Sequence, residues 1–294
     1  MLVLMMDRVL SQMDRPGMRA VDYSVDYSVV KASVDWASAF SRTDPTKTIT
    51  KFINMGVRAS LINILIEFLD SRKMTVKYNS AESSLFTLVG GGPQGSWTGQ
   101  ESFIVASDDN ASFVDQDDQF KYCDDLGILE LVLLGDILTE YNFHEHVASD
   151  VGVDELFLAP QGLSTQVNLD KIARWTEENL MLLRETKTDY QVFTRVQNRF
   201  ATRFTVNGKY IERKEVSKLL GLWLQEDGGW QTNTTQMCKK AYIRMNMLTK
   251  LKYSGLCIEE LVHIYKQYIR TTLEYCCVVY YSSLTDQQSA SNER

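Results

Sequence analysis

Three aspartates and a run of glycines are the places where this sequence gathers groups able to do chemistry. Asp35 ends the valine-rich run "YSVVKASV", and Asp124 and Asp125 stand side by side in "YCDD", between two short strand-like runs. Carboxylates brought together from neighbouring strands are hard oxygen donors of the kind that hold divalent cations. The same residues also form turns and cap helices, and each taken singly reads as one of those. Between them, "GGGPQG" is a loop able to approach a phosphate, but the Lys-Ser/Thr pair of a P-loop does not follow it. His144 and His146 in "FHEH" have no Cys or third His near them, so they read as a surface pair rather than metal ligands.

The elements that must position these residues come from a chain long enough to bury a full core, with 294 residues of which 44% are hydrophobic. One large domain or two lobes follow from that length. No apolar run approaches the roughly 18 to 20 residues of a membrane span, and the opening "MLVLMMDRVLSQMDRPG" breaks into charge too soon for a signal peptide. The expected location is therefore intracellular, in nucleus or cytoplasm, with no membrane partner. Five cysteines without a C-x-x-C spacing imply neither a disulfide framework nor a zinc site. The net charge of -7 argues against a generic nucleic-acid binder, yet it is unevenly spread: residues 184 to 294 carry 17 Lys and Arg against 11 Asp and Glu, a net of +6. An acidic front that gathers carboxylates around cations and a basic back that holds a phosphate backbone would fit a nucleic-acid enzyme; two solvated surfaces of opposite sign would fit as well.

Along the chain, Val3, Met6, Val9, Leu10 and Met13 predict an amphipathic helix stopped at Pro16 and Gly17. A tandem "VDYSVDYSV" precedes the strand that ends at Asp35. Asp44 and Pro45 open a helix that Gly56 closes, and "LINILIEFLDSRK" predicts another with Leu61, Ile64, Leu65 and Phe68 on one face. "MTVKYN" alternates as a strand, residues 128 to 143 and 169 to 183 read as helices, and "DYQVFTR" and "RFTVNGKYIE" read as strands, the last folded at Asn207-Gly208. Beyond a soft boundary at residues 225 to 230 two long helices run from about Thr232 to Lys252 and from about Ile258 to Tyr275. The fold class expected is α+β, with a mixed front and an all-α back.

Taken together and in order, "VDWASAF", "GGGPQGS" and "YCDD" resemble motifs A, B and C of the reverse transcriptase palm. "LMLLRETKTDYQVF" is similar to motif D, and "VSKLLGLWL" resembles the strand that precedes the thumb in non-LTR retrotransposons. The resemblance runs from about residue 7 to the end of the chain. It implies a palm, an antiparallel sheet with packed helices, over residues 35–225, an all-α thumb over residues 226–294, and a fingers region reduced to residues 1–34. It also implies RNA-directed DNA polymerisation: dNTPs added to a DNA primer 3' hydroxyl on an RNA template, with two Mg2+ ions, or Mn2+ in their place. Asp35 and Asp124 are implied as the principal metal ligands, Asp125 as completing the cluster, and the carbonyl of Trp36 as a further ligand. Two such ions stabilise both the attacking and the leaving oxygen.

Phe40 is implied as the ring beneath the deoxyribose, Gln94 and Gly95 as contacts to nucleotide and template, and Lys187 as the partner of the leaving pyrophosphate. The ordinary alternatives are a core phenylalanine and a solvated lysine. Lys239, Lys240, Arg244, Lys250 and Lys252, with Tyr242 and Tyr253 interleaved, would suit contact with a duplex backbone, or make a solvated helix face. Two other readings stay open: a remnant that binds nucleic acid without catalysis, and an unrelated acidic, Mg2+-dependent phosphohydrolase, which would give Gln94 and Phe40 no role.

Overall fold

The computed structural model describes residues 2–13, 27–70, 72–88, 90–92, 95–113, 119–133, 155–157, 163–194 and 199–293. Gln94, His144 and His146, and most of the tandem "VDYSVDYS", lie outside them. The fold is mixed α and β. Its centre is a five-stranded sheet built from β1 (Tyr27–Val34), β2 (Gln119–Tyr122), β3 (Asp125–Leu133), β4 (Asp189–Thr194) and β5 (Glu212–Arg213), in the order β5-β4-β1-β3-β2. All neighbours are antiparallel except the short edge pair β5 and β4.

Both faces of the sheet are covered, because side chains alternate along each strand. Val30, Ala32 and Val34 of β1 join Ile128 of β3 and Val192 of β4 beneath two helices, α4 (Trp97–Ala106) and α5 (Ser164–Glu178), whose Phe103, Ile172 and Trp175 complete that core. Val29, Leu129 and Phe193 face the other way. They meet Met5, Met6 and Val9 of α1 (Leu2–Met13) and Leu222 and Leu224 of the hairpin formed by β6 (Val216–Leu219) and β7 (Leu222–Gln225). Trp230 and Met237, at the start of α6 (Gln231–Tyr253), and Tyr280 close this second core.

Several local expectations hold. The side chain of Asp44 accepts hydrogen bonds from the Thr46 and Lys47 amides and opens α2 (Pro45–Asn54) with Pro45 at its first position. Asn207 and Gly208 both take positive φ, 52° and 74°, in the turn between Thr205–Val206 and Lys209–Tyr210. The second long helix begins as α7 (Ile258–Ile264) and continues through a π-helical stretch, Tyr265–Arg270.

Other expectations are corrected. Residues 128 to 133 are not helical; they belong to β3, a central strand covered on both faces. Such a strand is apolar at nearly every position, so "ILELVL" loses the alternation that marks a half-exposed one. The helix expected at 169 to 183 starts earlier, at Ser164, where Glu130 of β3 accepts from the Ser164 and Thr165 amides at 2.7 and 2.8 Å, and it stops at Glu178. "MTVKYN" is divided between two short ladders, at Lys73–Met74 and Lys77–Tyr78. In α3 (Ala59–Leu69) Ile62 and Leu69 are buried and Leu65 half-buried, whereas Leu61, Ile64 and Phe68 are exposed, so the buried stripe is rotated from the apolar face read in the sequence and shares only Leu65 with it.

Candidate active site

The register of the central strands decides where the three aspartates meet. β1 pairs with β3 from Tyr27↔Leu133 to Val34↔Leu126. Continued by one residue, that register sets Asp35 opposite Asp125. Tyr122 pairs with Asp125 across the β2–β3 hairpin, which leaves Cys123 and Asp124 as a two-residue turn. Cys123 is held in the left-handed region at φ 53°, a conformation that costs a non-glycine residue roughly 1–2 kcal/mol. Asp35, Asp124 and Asp125 thus share one end of the sheet, on and beside its two central strands.

Their electrostatics bear out the proximity. Partial burial, then Asp124, then Asp35 push the Asp125 carboxyl above its ordinary value of 3.8, and Lys31 works in the opposite direction. Asp35 Oδ2 is shielded from solvent and has no hydrogen-bond partner. Arg184 Nη1 lies 3.8 Å from that oxygen, an ion pair too long for a hydrogen bond. Among the described residues no three His, Cys, Asp or Glu side chains are grouped as they would be around a metal ion. The donor set is therefore of the right chemistry for a hard divalent cation, and its carboxylates are neighbours that do not yet converge on one point.

The segment after α5 runs across the end of β1. Ala37 donates to the Leu182 carbonyl at 2.8 Å, the Arg184 amide donates to the Asp35 carbonyl at 2.8 Å, and the Asp35 amide donates to Thr188 Oγ1 at 3.4 Å. Lys187 is exposed in the turn just before Thr188, so this strap carries it to the acidic end of the sheet.

The glycine loop lies against the residues that follow Asp35. The amide of Gly91 donates to the Thr43 carbonyl at 2.8 Å and that of Gly92 to the Phe40 carbonyl at 2.7 Å, while Arg72 donates to the carbonyls of Gly90 and Gly91. Gly91 has no room for a side chain: a Cβ would stand 2.9 Å from Ser41 Cα and from the Ser41 carbonyl oxygen. Gly95, at φ +78°, faces open space. Phe40 is half-buried and packs on Phe103 at 4.8 Å between ring centroids. Trp36 is buried edge-on against Trp175 at 5.6 Å.

The basic residues of α6 do different jobs. Lys239, Lys240, Lys250 and Lys252 are exposed. At about 100° per residue, Lys239 and Lys250 share a face and Lys252 points well away from it. Arg244 reaches across to the Tyr268 carbonyl and Thr272 Oγ1, so it ties α6 to the next helix. Two charged residues near the acidic end had no role assigned to them: Lys31, which lies in no motif, and Arg184, which lies inside the motif D segment "LMLLRETKTDYQVF". The signal for Lys31 was its place inside a valine run, where a lysine is out of pattern. No family model matches the chain, and no curated protein matches it.

Proposed function

We propose that the chain is a nucleotidyltransferase of the reverse transcriptase type, with the five-stranded sheet as a palm and the C-terminal helices as a thumb, adding deoxynucleotides to a primer on an RNA template. The observation that carries this reading is the register that sets Asp35 opposite Asp125 and beside Asp124. Three carboxylates from two adjacent strands are the donor set that two-metal phosphoryl transfer requires. Asp35, Asp124 and Asp125 would hold Mg2+ there, which supplies charge neutralisation at the attacking and leaving oxygens. Lys187, in the strap that crosses the same end, would meet a leaving pyrophosphate. The glycine loop, pinned to Phe40 and Thr43, would present Gly95 to the nucleotide, Gln94 would be the further contact that the resemblance implies, and Phe40 would be the ring under the sugar.

A second reading has one observation in its favour. Arg184 Nη1 stands 3.8 Å from Asp35 Oδ2, a protein cation already beside the carboxylate, as it would be in a chain that binds nucleic acid without catalysis. Primer extension on an RNA template by the full chain, with Asp124→Asn as the paired variant, separates the two. The polymerase reading expects Mg2+-dependent extension that the variant loses by several orders of magnitude. Extension that survives in Asp124→Asn removes the metal assignment, and duplex binding without extension in either protein favours the second reading.

A further inference from the structure

Beneath the acidic end lies a positive charge that the proposed chemistry does not use. Lys31 is fully buried, four residues before Asp35, and every second residue of a strand shares a face. A buried ammonium persists only where hydrogen bonds and an opposite charge meet it. Lys31 Nζ donates to Ser217 Oγ of β6 at 3.1 Å, and Ser217 donates in turn to Gln191 Oε1 at 2.7 Å. Gln191 Nε2 then reaches the carbonyls of Glu215 and Leu224, each at 3.0 Å. All the other groups in this relay are neutral, so it fixes the place of the ammonium without balancing its charge.

Two carboxylates, Asp189 and Asp125, and a second lysine, Lys214, act on Lys31. Lys214 Nζ already holds Asp189 Oδ2 at 2.7 Å. Asp189 is the stronger of the two carboxylate influences, and its Oδ1 is buried with no hydrogen-bond partner among the described residues; with two lysines on that one carboxylate a positive charge is left over, and Asp125 is the next carboxylate that acts on Lys31. Burial, the dominant influence, brings the Lys31 ammonium down from 10.5 to about 8, which still leaves it mostly charged at neutral pH.

We propose that Lys31 is the resident counter-charge of the acidic end, a positioning residue that balances one aspartate charge from below before any cation arrives. The inference rests on the reading of Asp35, Asp124 and Asp125 as a divalent-cation site. It differs in sign from a purely structural role. Loss of a packed, hydrogen-bonded residue would loosen the carboxylates and weaken cation binding, whereas loss of a positive charge behind them strengthens it.

The test is a titration of the full chain with Mn2+ alone at pH 7, followed by the electron paramagnetic resonance signal of the free ion. Lys31→Met and Lys31→Gln are expected to bind Mn2+ on the order of tenfold more tightly than the wild type, and Lys31→Arg to bind as the wild type does. The glutamine variant keeps a donor for Ser217, so it stands in should the methionine variant not fold. Asp35→Asn and Asp124→Asn keep the two claims distinct. Mn2+ binding that these variants do not reduce, or no binding at all, overturns the cation-site reading and the role of Lys31 with it. Asp35-dependent binding that the neutral Lys31 variants leave unchanged or weaken overturns the role of Lys31 alone, as does failure of both neutral variants to fold.

Discussion

A carboxylate that sits beside two others is under electrostatic load, and Asp125 carries that load at the start of β3. Its carboxyl lies above 3.8 through partial burial and the charges of Asp124 and Asp35, so the folded chain holds that proton more firmly than the unfolded chain does. The sign follows. Asp125 favours the fold below its ordinary value, and that contribution is lost as pH rises through the raised one, leaving an ionised group that strains the native state at neutral pH. Asp125→Asn should therefore melt at a higher temperature than the wild type at pH 7, with the gap closing as pH falls below 3.8. Thermal denaturation of both proteins across that range checks it, and an equal or lower melting temperature for the variant at pH 7 would refute it. Adding Mg2+ should narrow the gap from the other side if the cluster binds the ion, because only the wild type then has all three charges answered.

At the scale of elements, the glycine loop and the segment after Asp35 form one unit. Gly91 takes φ +83°, and a Cβ there would press on the backbone of Ser41 at 2.9 Å and on the Phe40 carbonyl at 3.0 Å, with no flexible side chain able to give way. Gly91→Ala combines left-handed strain with overpacking and should cost about 2–4 kcal/mol, or displace the loop. Chemical denaturation gives the stability change. Gly95→Ala is the comparison, since Gly95 at φ +78° has open space around it and should cost only the backbone strain, about 1–2 kcal/mol. If the two variants unfold alike, the close approach of loop and segment is not what fixes Gly91.

The same pair of elements indicates how far the sequence can be read. Asp44 with Pro45, and Asn207 with Gly208, act within a few residues of themselves, so their helix start and hairpin turn were legible. The end of β1 at Asp35 and the turn at Cys123 and Asp124 were legible for the same reason. What was not legible depends on partners distant in the chain. β3 looked helical because its neighbours on both faces, α5 and α1, are far away in sequence. Nothing near Leu61 or Phe68 tells which face of α3 meets the rest of the molecule. Arg184 lies 149 positions beyond the Asp35 it pairs with, and Lys31 lies 186 before the Ser217 that receives its hydrogen bond. The residue types of the acidic site could be read off, but not the charges that oppose it.

Across the whole molecule, the sheet holds its acidic end while α6 extends away from the second core. Asn233, Thr234, Met237 and Ala241 are the buried residues of α6, all in its first half, so the second half projects with Tyr242, Met247 and Tyr253 exposed among its lysines. If this projection holds a duplex, its lysines act through the phosphate backbone and their effect must depend on salt. Lys239 and Lys250 share a face, so replacing both by Ala should weaken duplex binding at every sequence and lower the salt slope by up to about 2. Lys252, which points away from that face, should contribute less, and Lys252→Ala alone should leave the slope near its starting value. Arg244→Ala should behave in another way again, because Arg244 is engaged with Tyr268 and Thr272: it should lower the melting temperature and affect binding only as the helices loosen. Binding isotherms at several salt concentrations with melting curves for each variant separate these outcomes. Equal salt slopes for the wild type and the Lys239/Lys250 pair would mean that this face of α6 is solvated and does not touch nucleic acid.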